Sequence, residues 1–312
     1  AVFNKDNVQK TIEVVGTRQF DTIQFAANGY VLNDGVLQFN TYNGSTATIG
    51  VDGVTATVNS KLTDGAGSNT ELAVNGGGTL VLTNTANDYT GGTSVGGYTT
   101  LQLNNGINAA GTGDIALDTV DGNATLALNF SESNFNREIA DNGGGSKGGT
   151  NAVKIMDGNN ITFTAAQDYS AATVIGKGSS LTAGTGGDLS AKSAHYLDQN
   201  ASLILADGDE TIGGLAGEAG STLALGGNTL TVNQGEDNAF LGSLTGSASA
   251  AFGKNGTAKL SLDNIDTSVY GGTFASNAGI LALYGKTGSN MDLRLAAGNG
   301  TIMASTSSNS QD

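Results

Sequence analysis

The chain has 312 residues, of which 49 are glycine, and it contains no proline, cysteine or tryptophan. The lack of cysteine excludes disulfide scaffolds, thiol nucleophiles, thiolate zinc sites and iron–sulfur clusters, and a single histidine excludes multi-histidine metal sites. The net charge is −15, from 28 acidic and 13 basic residues. The lack of a Lys/Arg cluster disfavours nucleic acid and anionic membranes as partners, so we expect no nucleic-acid partner. We attribute the acidity to solubility, because a net charge away from zero keeps β-rich chains from associating.

Taken in chain order, short segments with alternating apolar residues predict β-strands. A period of two places one face of each strand in a core and the other in solvent. Between these segments, thirteen Asn-Gly and Asp-Gly pairs can supply the positive φ of tight turns. The predicted strands are 36–39, 79–83, 100–103, 125–128, 222–225, 229–232, 259–262 and 280–283. The pattern predicts an all-β protein, either an antiparallel sandwich or a parallel β-helix.

An internal repeat favours the β-helix. Three copies share a Tyr, a turn of small residues that ends in Thr, and a Leu that follows this Thr by eight residues in each copy. The repeat positions are Tyr89, Gly91, Gly92, Thr93 and Leu101; Tyr169, Thr173 and Leu181; and Tyr270, Gly271, Gly272, Thr273 and Leu281. A short unit of this kind cannot bury its own apolar face and must stack on its neighbours. We expect the tyrosines to stack within or cap the turns, with sugar stacking as the alternative.

The repeat also predicts the domain organisation. A turn of about 22 residues gives a β-helix (β-solenoid) of roughly 12–14 turns. Proline is absent because it would remove a hydrogen bond from a ladder of stacked strands. We predict one β-helix over residues 1–300, with a loop or break near 142–150 in a glycine-rich stretch, and a flexible tail over residues 301–312.

One copy of the repeat resembles a known family. Residues 76–103 read Gly-Gly-Gly-Thr-Leu-Val-Leu, then Asn-Asp-Tyr-Thr-Gly-Gly-Thr, then a Leu-x-Leu strand. This pattern resembles the passenger-associated transport repeat of Gram-negative autotransporters, and residues 212–232 are similar to passenger turns of the same family. The resemblance implies a right-handed β-helix passenger fragment that is secreted through the protein's own C-terminal barrel. Neither that barrel nor a signal peptide is expected within these residues.

The resemblance also implies a function. The commonest role in the family is adhesion, so we expect a non-enzymatic adhesin at the bacterial cell surface or outer membrane, or secreted, that acts in autoaggregation, biofilm formation or virulence. Its partners would be passengers on neighbouring cells, or a host glycan or matrix protein, with no cofactor. Two alternatives stay open: a polysaccharide lyase or hydrolase on the same fold, and a structural stalk that assists secretion.

Few residues qualify for catalysis or metal binding. His195 is the single general base with a pKa near neutrality, and a lone histidine beside a tyrosine is more often an exposed or packed surface residue. The Gly-x-Ser-x-Gly match around Ser94 lies inside the repeat, so it indicates a turn and a strand and not a nucleophile elbow. Asp207, Asp209 and Glu210 could offer carboxylates to calcium, but their spacing differs from a calcium-binding loop. We therefore predict no catalytic residue and no metal site.

Overall fold

The structure is a computed structural model that describes residues 1–6, 9–40, 46–118, 123–142, 152–286 and 292–305. Over these residues the protein is an all-β solenoid of parallel strands with about 13 turns. The described chain forms two compact units: residues 1–132, 137–154 and 169–171 make up the first, and residues 133–136, 155–168 and 172–312 the second.

The described residues form 35 short strands and one 3₁₀-helix, Ile107–Ala110. In chain order the strands are β1 Val2–Phe3, β2 Thr11–Glu13, β3 Thr17–Phe20, β4 Thr22–Phe25, β5 Tyr30–Asn33, β6 Val36–Phe39, β7 Thr46–Val51, β8 Thr55–Val58, β9 Lys61–Thr63, β10 Glu71–Asn75, β11 Thr79–Leu82, β12 Thr93–Val95, β13 Thr100–Asn104, β14 Ile115–Asp118, β15 Thr125–Asn129, β16 Glu132–Phe135, β17 Ile139–Asn142, β18 Ala152–Ile155, β19 Asn160–Phe163, β20 Ala172–Ile175, β21 Ser180–Ala183, β22 Ala194–Leu197, β23 Ser202–Leu205, β24 Glu210–Ile212, β25 Gly214–Gly217, β26 Thr222–Ala224, β27 Thr229–Asn233, β28 Asn238–Phe240, β29 Ser243–Thr245, β30 Ala251–Asn255, β31 Lys259–Ile265, β32 Thr273–Ser276, β33 Ile280–Gly285, β34 Arg294–Leu295 and β35 Thr301–Ser305. Among the described residues, no helix is long and apolar enough to cross a membrane.

In the first unit the chain visits three faces in succession. One face carries β1-β4-β7-β10-β12-β14-β17, the second β2-β5-β8-β11-β13-β15-β18, and the third the short sheet β3-β6-β9. Strands on the second face begin about 23 residues apart along the chain. Neighbouring strands are parallel and in register, so each turn forms its ladder hydrogen bonds with the turns before and after it.

The second unit repeats this arrangement. Its faces carry β20-β22-β25-β28-β31-β33-β35, β16-β19-β21-β23-β26-β29 and β24-β27-β30-β32-β34. The core consists of columns of identical or similar inward side chains, such as Leu181–Leu203–Leu223–Leu244 along one ladder. Each of these leucines is at most 2 % exposed. Burial of one leucine side chain contributes roughly 1.5–3 kcal/mol, and the stack repeats this gain at every turn.

Aspartates, most of them at corners between strands, join one turn to another, which the sequence did not indicate. The carboxylates of these residues accept backbone N–H groups from residues at least 20 positions later in the chain, at 2.7 to 3.1 Å. The donors are Thr90 for Asp64, Glu138 for Asp114, Ser170 for Asp141, Lys177 for Asp157, Thr229 for Asp209 and Lys259 for Asp237. Acidic residues therefore satisfy backbone amides of other turns.

The fold confirms the all-β parallel solenoid, its number of turns and the eight predicted strands. One boundary prediction needs correction. The expected flexible tail begins inside a strand, because β35, Thr301–Ser305, pairs with β33 through five registered residues. Residues 306–312 lie outside the described residues. The single β-helix over residues 1–300 stays a prediction, and the predicted loop or break near 142–150 falls, apart from Asn142 at the end of β17, outside the described residues.

Candidate functional site

The three repeat tyrosines are core residues. Tyr89, Tyr169 and Tyr270 are at most 1 % exposed. The Tyr89 hydroxyl lies 2.7 Å from Thr93 Oγ1, and the Tyr270 hydroxyl donates to the Thr273 carbonyl at 2.8 Å, so each reaches the threonine of its own copy. Burial raises the pKa of the Tyr89 hydroxyl, with the Thr93 bond opposing. The prediction that these tyrosines stack within the turns is confirmed. The alternative prediction, that sugars stack on them, is wrong because none of the three ring faces is accessible.

The copies of the repeat are out of phase with one another. In the second unit, Thr173 lies on β20 and Leu181 on β21, whereas Thr273 lies on β32 and Leu281 on β33. β20 and β33 belong to the same sheet, so the threonine of one copy occupies the face that holds the leucine of the other. The three repeat leucines, at positions 101, 181 and 281, are nonetheless equally buried, because every face turns one side to the core.

The Gly-Gly pair of the repeat allows the corner to pack closely. A Cβ on Gly91 would lie 2.3 Å from the carbonyl carbon of Thr70, and a Cβ on Gly92, which has φ +84°, would lie 2.8 Å from the Asp114 carbonyl oxygen. In the later copy, a Cβ on Gly272 would lie 2.3 Å from the Ala250 carbonyl oxygen, whereas a Cβ on the neighbouring Gly271 would make only ordinary van der Waals contacts. Three of these four glycines are therefore required by the contact between successive turns.

These glycines form part of an acidic groove on the first unit. The groove has a volume of about 470 Å³ and lies where the chain enters β10, β12, β14 and β17. Its lining includes Gly91, Gly92 and Gly113. The carboxylates of Glu71, Asp114 and Glu138 line it from different turns, and among the described residues neither a lysine, an arginine nor an aromatic residue lines it. The groove therefore disfavours anionic ligands and offers acceptors to hydroxyl or cationic groups.

The sequence prediction missed the groove. Glu71, Asp114 and Glu138 are separated by 43 and 24 positions in the printed sequence and belong to no common motif. The one local signal for the groove is the glycine before Asp114. Gly113 has no room for a side chain, because a Cβ there would lie 2.5 Å from the Gly92 amide nitrogen. The amide of Glu138 donates to Asp114 at 3.1 Å, which ties two of the three groove residues together.

A different surface of the first unit carries hydroxyl groups and no charge. Thr55, Thr79, Thr100 and Thr125 stand in register on β8, β11, β13 and β15, and we call them the threonine column. All four are half-buried or exposed, so they are on the solvent side of the sheet. These four strands contain no Asp, Glu, Lys or Arg. At one end of the same strands, asparagines pair from turn to turn: Asn129 Nδ2 donates to Asn104 Oδ1 at 3.0 Å.

His195 is a core residue. It is fully buried on β22, its Nδ1 lies 3.1 Å from the Ser193 carbonyl oxygen, and its Nε2 is buried without a partner. Burial lowers the pKa of this imidazole to about 4, and the bond to Ser193 opposes that shift. A buried neutral ring is poorly placed to act as a general base. The expectation of an exposed or packed surface residue is wrong, because the ring lies in the core. Ser94 lies on β12 between Ala73 and Ala116 of the neighbouring strands, as the turn-and-strand interpretation predicts.

The candidate metal ligands do not converge. Asp209 Oδ1 accepts the Thr229 amide at 2.7 Å, and Glu210 Oε2 accepts the Leu189 amide at 2.9 Å, while Asp207 is exposed. Over the residues that the structure describes, no group of three His, Cys, Asp or Glu is arranged to hold a metal ion. In the candidate set Asp207, Asp209 and Glu210, two members each use one carboxylate oxygen to accept a backbone amide.

Comparison with known proteins adds no assignment. No protein-family model, no curated protein and no solved structure matches the chain.

Proposed function

We propose that this chain is a non-enzymatic adhesion module of the autotransporter-passenger type, which associates with a second copy of itself through the face that carries the threonine column. The observation that carries the proposal is the distribution of charge. The chain has a net charge of −15, yet the four strands of this face have no charged residue. Two copies that approach through these four strands bring no charged strand residue against another, so the electrostatic cost of this contact is low.

The chemistry of the face fits many weak contacts. Threonine presents a methyl group and a hydroxyl group, and in a stacked sheet the column repeats at about 4.8 Å. A second copy can therefore form the same contact at every turn. Affinity then depends on the number of turns engaged and not on one pocket. On a bacterial cell surface, where many copies face each other, such contacts would give autoaggregation.

Sedimentation velocity tests the proposal at low and high salt. Self-association should strengthen as salt screens the repulsion between two chains of charge −15. The double variant T100E/T125E, which adds two charges to the column, should stay monomeric. The matched control T17E/T22E adds the same charge at exposed positions on the other two faces of the same unit and should associate more than T100E/T125E. A monomeric wild-type chain at every salt concentration, or equal association of the two variants, would contradict the proposal.

The acidic groove supports a second candidate, binding or cleavage of a polysaccharide. Two carboxylates held on neighbouring turns are the groups that glycoside hydrolysis uses, and Asp114 and Glu138 are linked through the Glu138 amide. Incubation with neutral polysaccharides should release product from the wild-type chain and not from D114N/E138Q, whereas polyuronates, whose charge the acidic groove disfavours, should stay intact. If neither protein releases product and a glycan array is silent, this candidate is excluded.

A further inference from the structure

Glu210 stands at the head of an apolar column in the second unit. It begins β24, the first strand of its sheet, its side chain is 4 % exposed, and it points toward the core as Ile212 does. The positions that follow it in register are Leu230, Phe252 and Phe274. A carboxylate in this column has a high desolvation cost, and such conflicts between residue type and position mark sites with a function beyond packing.

The side chain of Glu210 connects a segment without regular structure to the sheet. Residues 184–193 form neither strand nor helix, and the amide of Leu189 within them donates to Glu210 Oε2 at 2.9 Å. The other oxygen, Oε1, is buried and has no hydrogen-bond partner. The hydrogen bond thus satisfies the Leu189 amide of the segment but leaves one carboxylate oxygen, Oε1, without a donor.

The charged neighbours of Glu210 make its ionised form more costly. Burial raises the pKa of Glu210 to about 7, the Leu189 bond lowers it, and the negative charges of Asp188 and Asp209 raise it further. β27 presents only the apolar Leu230 at the registered position. Lys192 of the segment does not compensate, since its ammonium group is ion-paired with Asp168 at 2.8 Å.

We propose that Glu210 is a proton-controlled latch: with its proton it holds residues 184–193 against the sheet that starts at β24, and without its proton it releases them so that the carboxylate reaches water. The latch is a property of the second unit and is independent of the proposed adhesion through the first. In the closed form the pKa is about 7, and in the open, hydrated form it approaches the ordinary 4.5. The opening equilibrium therefore rises about tenfold per pH unit between these values and levels off above them, a change of roughly one to two orders of magnitude from pH 5 to pH 8.

Hydrogen exchange of the full chain, read by mass spectrometry on peptides within residues 184–193, measures this opening. Chemical exchange itself accelerates with pH, so wild type is compared with E210Q at each of pH 5, 6, 7 and 8. We expect the ratio of wild-type to E210Q opening to grow ten- to a hundredfold across this range. The control E236Q removes an exposed carboxylate of the same unit and should follow wild type.

A constant ratio of wild-type to E210Q opening from pH 5 to pH 8 would overturn the latch. The variant E210L gives a second test. It continues the apolar column but removes the acceptor for the Leu189 amide, so the segment should open more than in E210Q at every pH, without the wild-type pH dependence. If E210L kept that pH dependence, another group would be responsible and the proposal would fail.

Discussion

Asn87, in the first copy of the repeat, joins three turns of the first unit, and its removal should be strongly destabilising. The side chain is 3 % exposed. Its Oδ1 accepts the Leu62 amide at 2.7 Å, and its Nδ2 donates to the Ala109 carbonyl at 2.7 Å. Leu62 belongs to β9 in an earlier turn, and Ala109 to the 3₁₀-helix in a later one. In N87A both backbone groups would be left buried without a partner.

The magnitude follows from these two losses. Each unsatisfied buried group costs about 1–3 kcal/mol, so N87A should lower the free energy of unfolding by roughly 2–6 kcal/mol. The control N129A removes an exposed side chain that bonds to the half-buried Asn104, and it should lower the free energy of unfolding by about 0.5 kcal/mol or less. N87D keeps an acceptor for Leu62 but loses the donor to Ala109, and it buries a charge. It should therefore be less stable at pH 8 than at pH 4, relative to wild type.

Urea denaturation followed by far-UV circular dichroism at 25 °C measures all three variants. A free energy of unfolding for N87A within about 0.5 kcal/mol of wild type would refute the reasoning, since two buried groups would then have found water or other partners at no cost. Equal losses in N87A and N129A would refute it as well, because burial would then have no part in the effect.

Three further outcomes are expected. G113A should lower the free energy of unfolding by about 1–3 kcal/mol, because the new Cβ lies 2.5 Å from a backbone nitrogen. G235A, whose new Cβ has no atom within 4 Å, should be neutral or slightly stabilising in the same urea titration. His195 has a pKa of about 4 in the folded chain and 6.5 in the unfolded chain, so its protonation should lower the free energy of unfolding by roughly 3 kcal/mol as the pH falls from 6.5 to 4. H195L should abolish this pH-dependent loss, and an H195L profile equal to that of wild type would contradict the prediction. Y270F should lower the free energy of unfolding, measured by thermal denaturation, by about 1 kcal/mol, because the Thr273 carbonyl loses the hydroxyl that donates to it. An unchanged stability of Y270F would argue against that hydrogen bond.

Glu210 and His195 give the second unit opposite responses to pH. The folded pKa of Glu210 is raised to about 7, so its ionisation destabilises the unit as the pH rises from 4.5 to 7. The folded pKa of His195 is lowered, so its protonation destabilises the unit as the pH falls. E210Q should therefore reduce the loss of stability above the pH of maximum stability, and H195L should reduce the loss below it.

Local sequence determined most of the fold. Alternation of apolar residues located strands such as 79–82 and 229–233, because the period of two is a property of each strand alone. The Thr-to-Leu spacing of eight and the missing proline indicated stacked turns, because both express the same requirement for continuous ladders. The tyrosines at 89, 169 and 270 were correctly expected inside the turns.

Only the tertiary structure decided which parts of the chain meet. The face on which a copy of the repeat lies depends on every turn length before it, so the spacing around Thr173 could not reveal that it occupies the sheet of Leu281. Glu71, Asp114 and Glu138 face one groove because parallel stacking superimposes distant positions, and no local pattern records that register. For the same reason the sequence offered Glu210 only as a weak candidate for a calcium ligand, while the fold places it in a buried apolar column beside Leu230. Strand periodicity is local, whereas grooves, corner bonds and pKa values arise from contacts between turns.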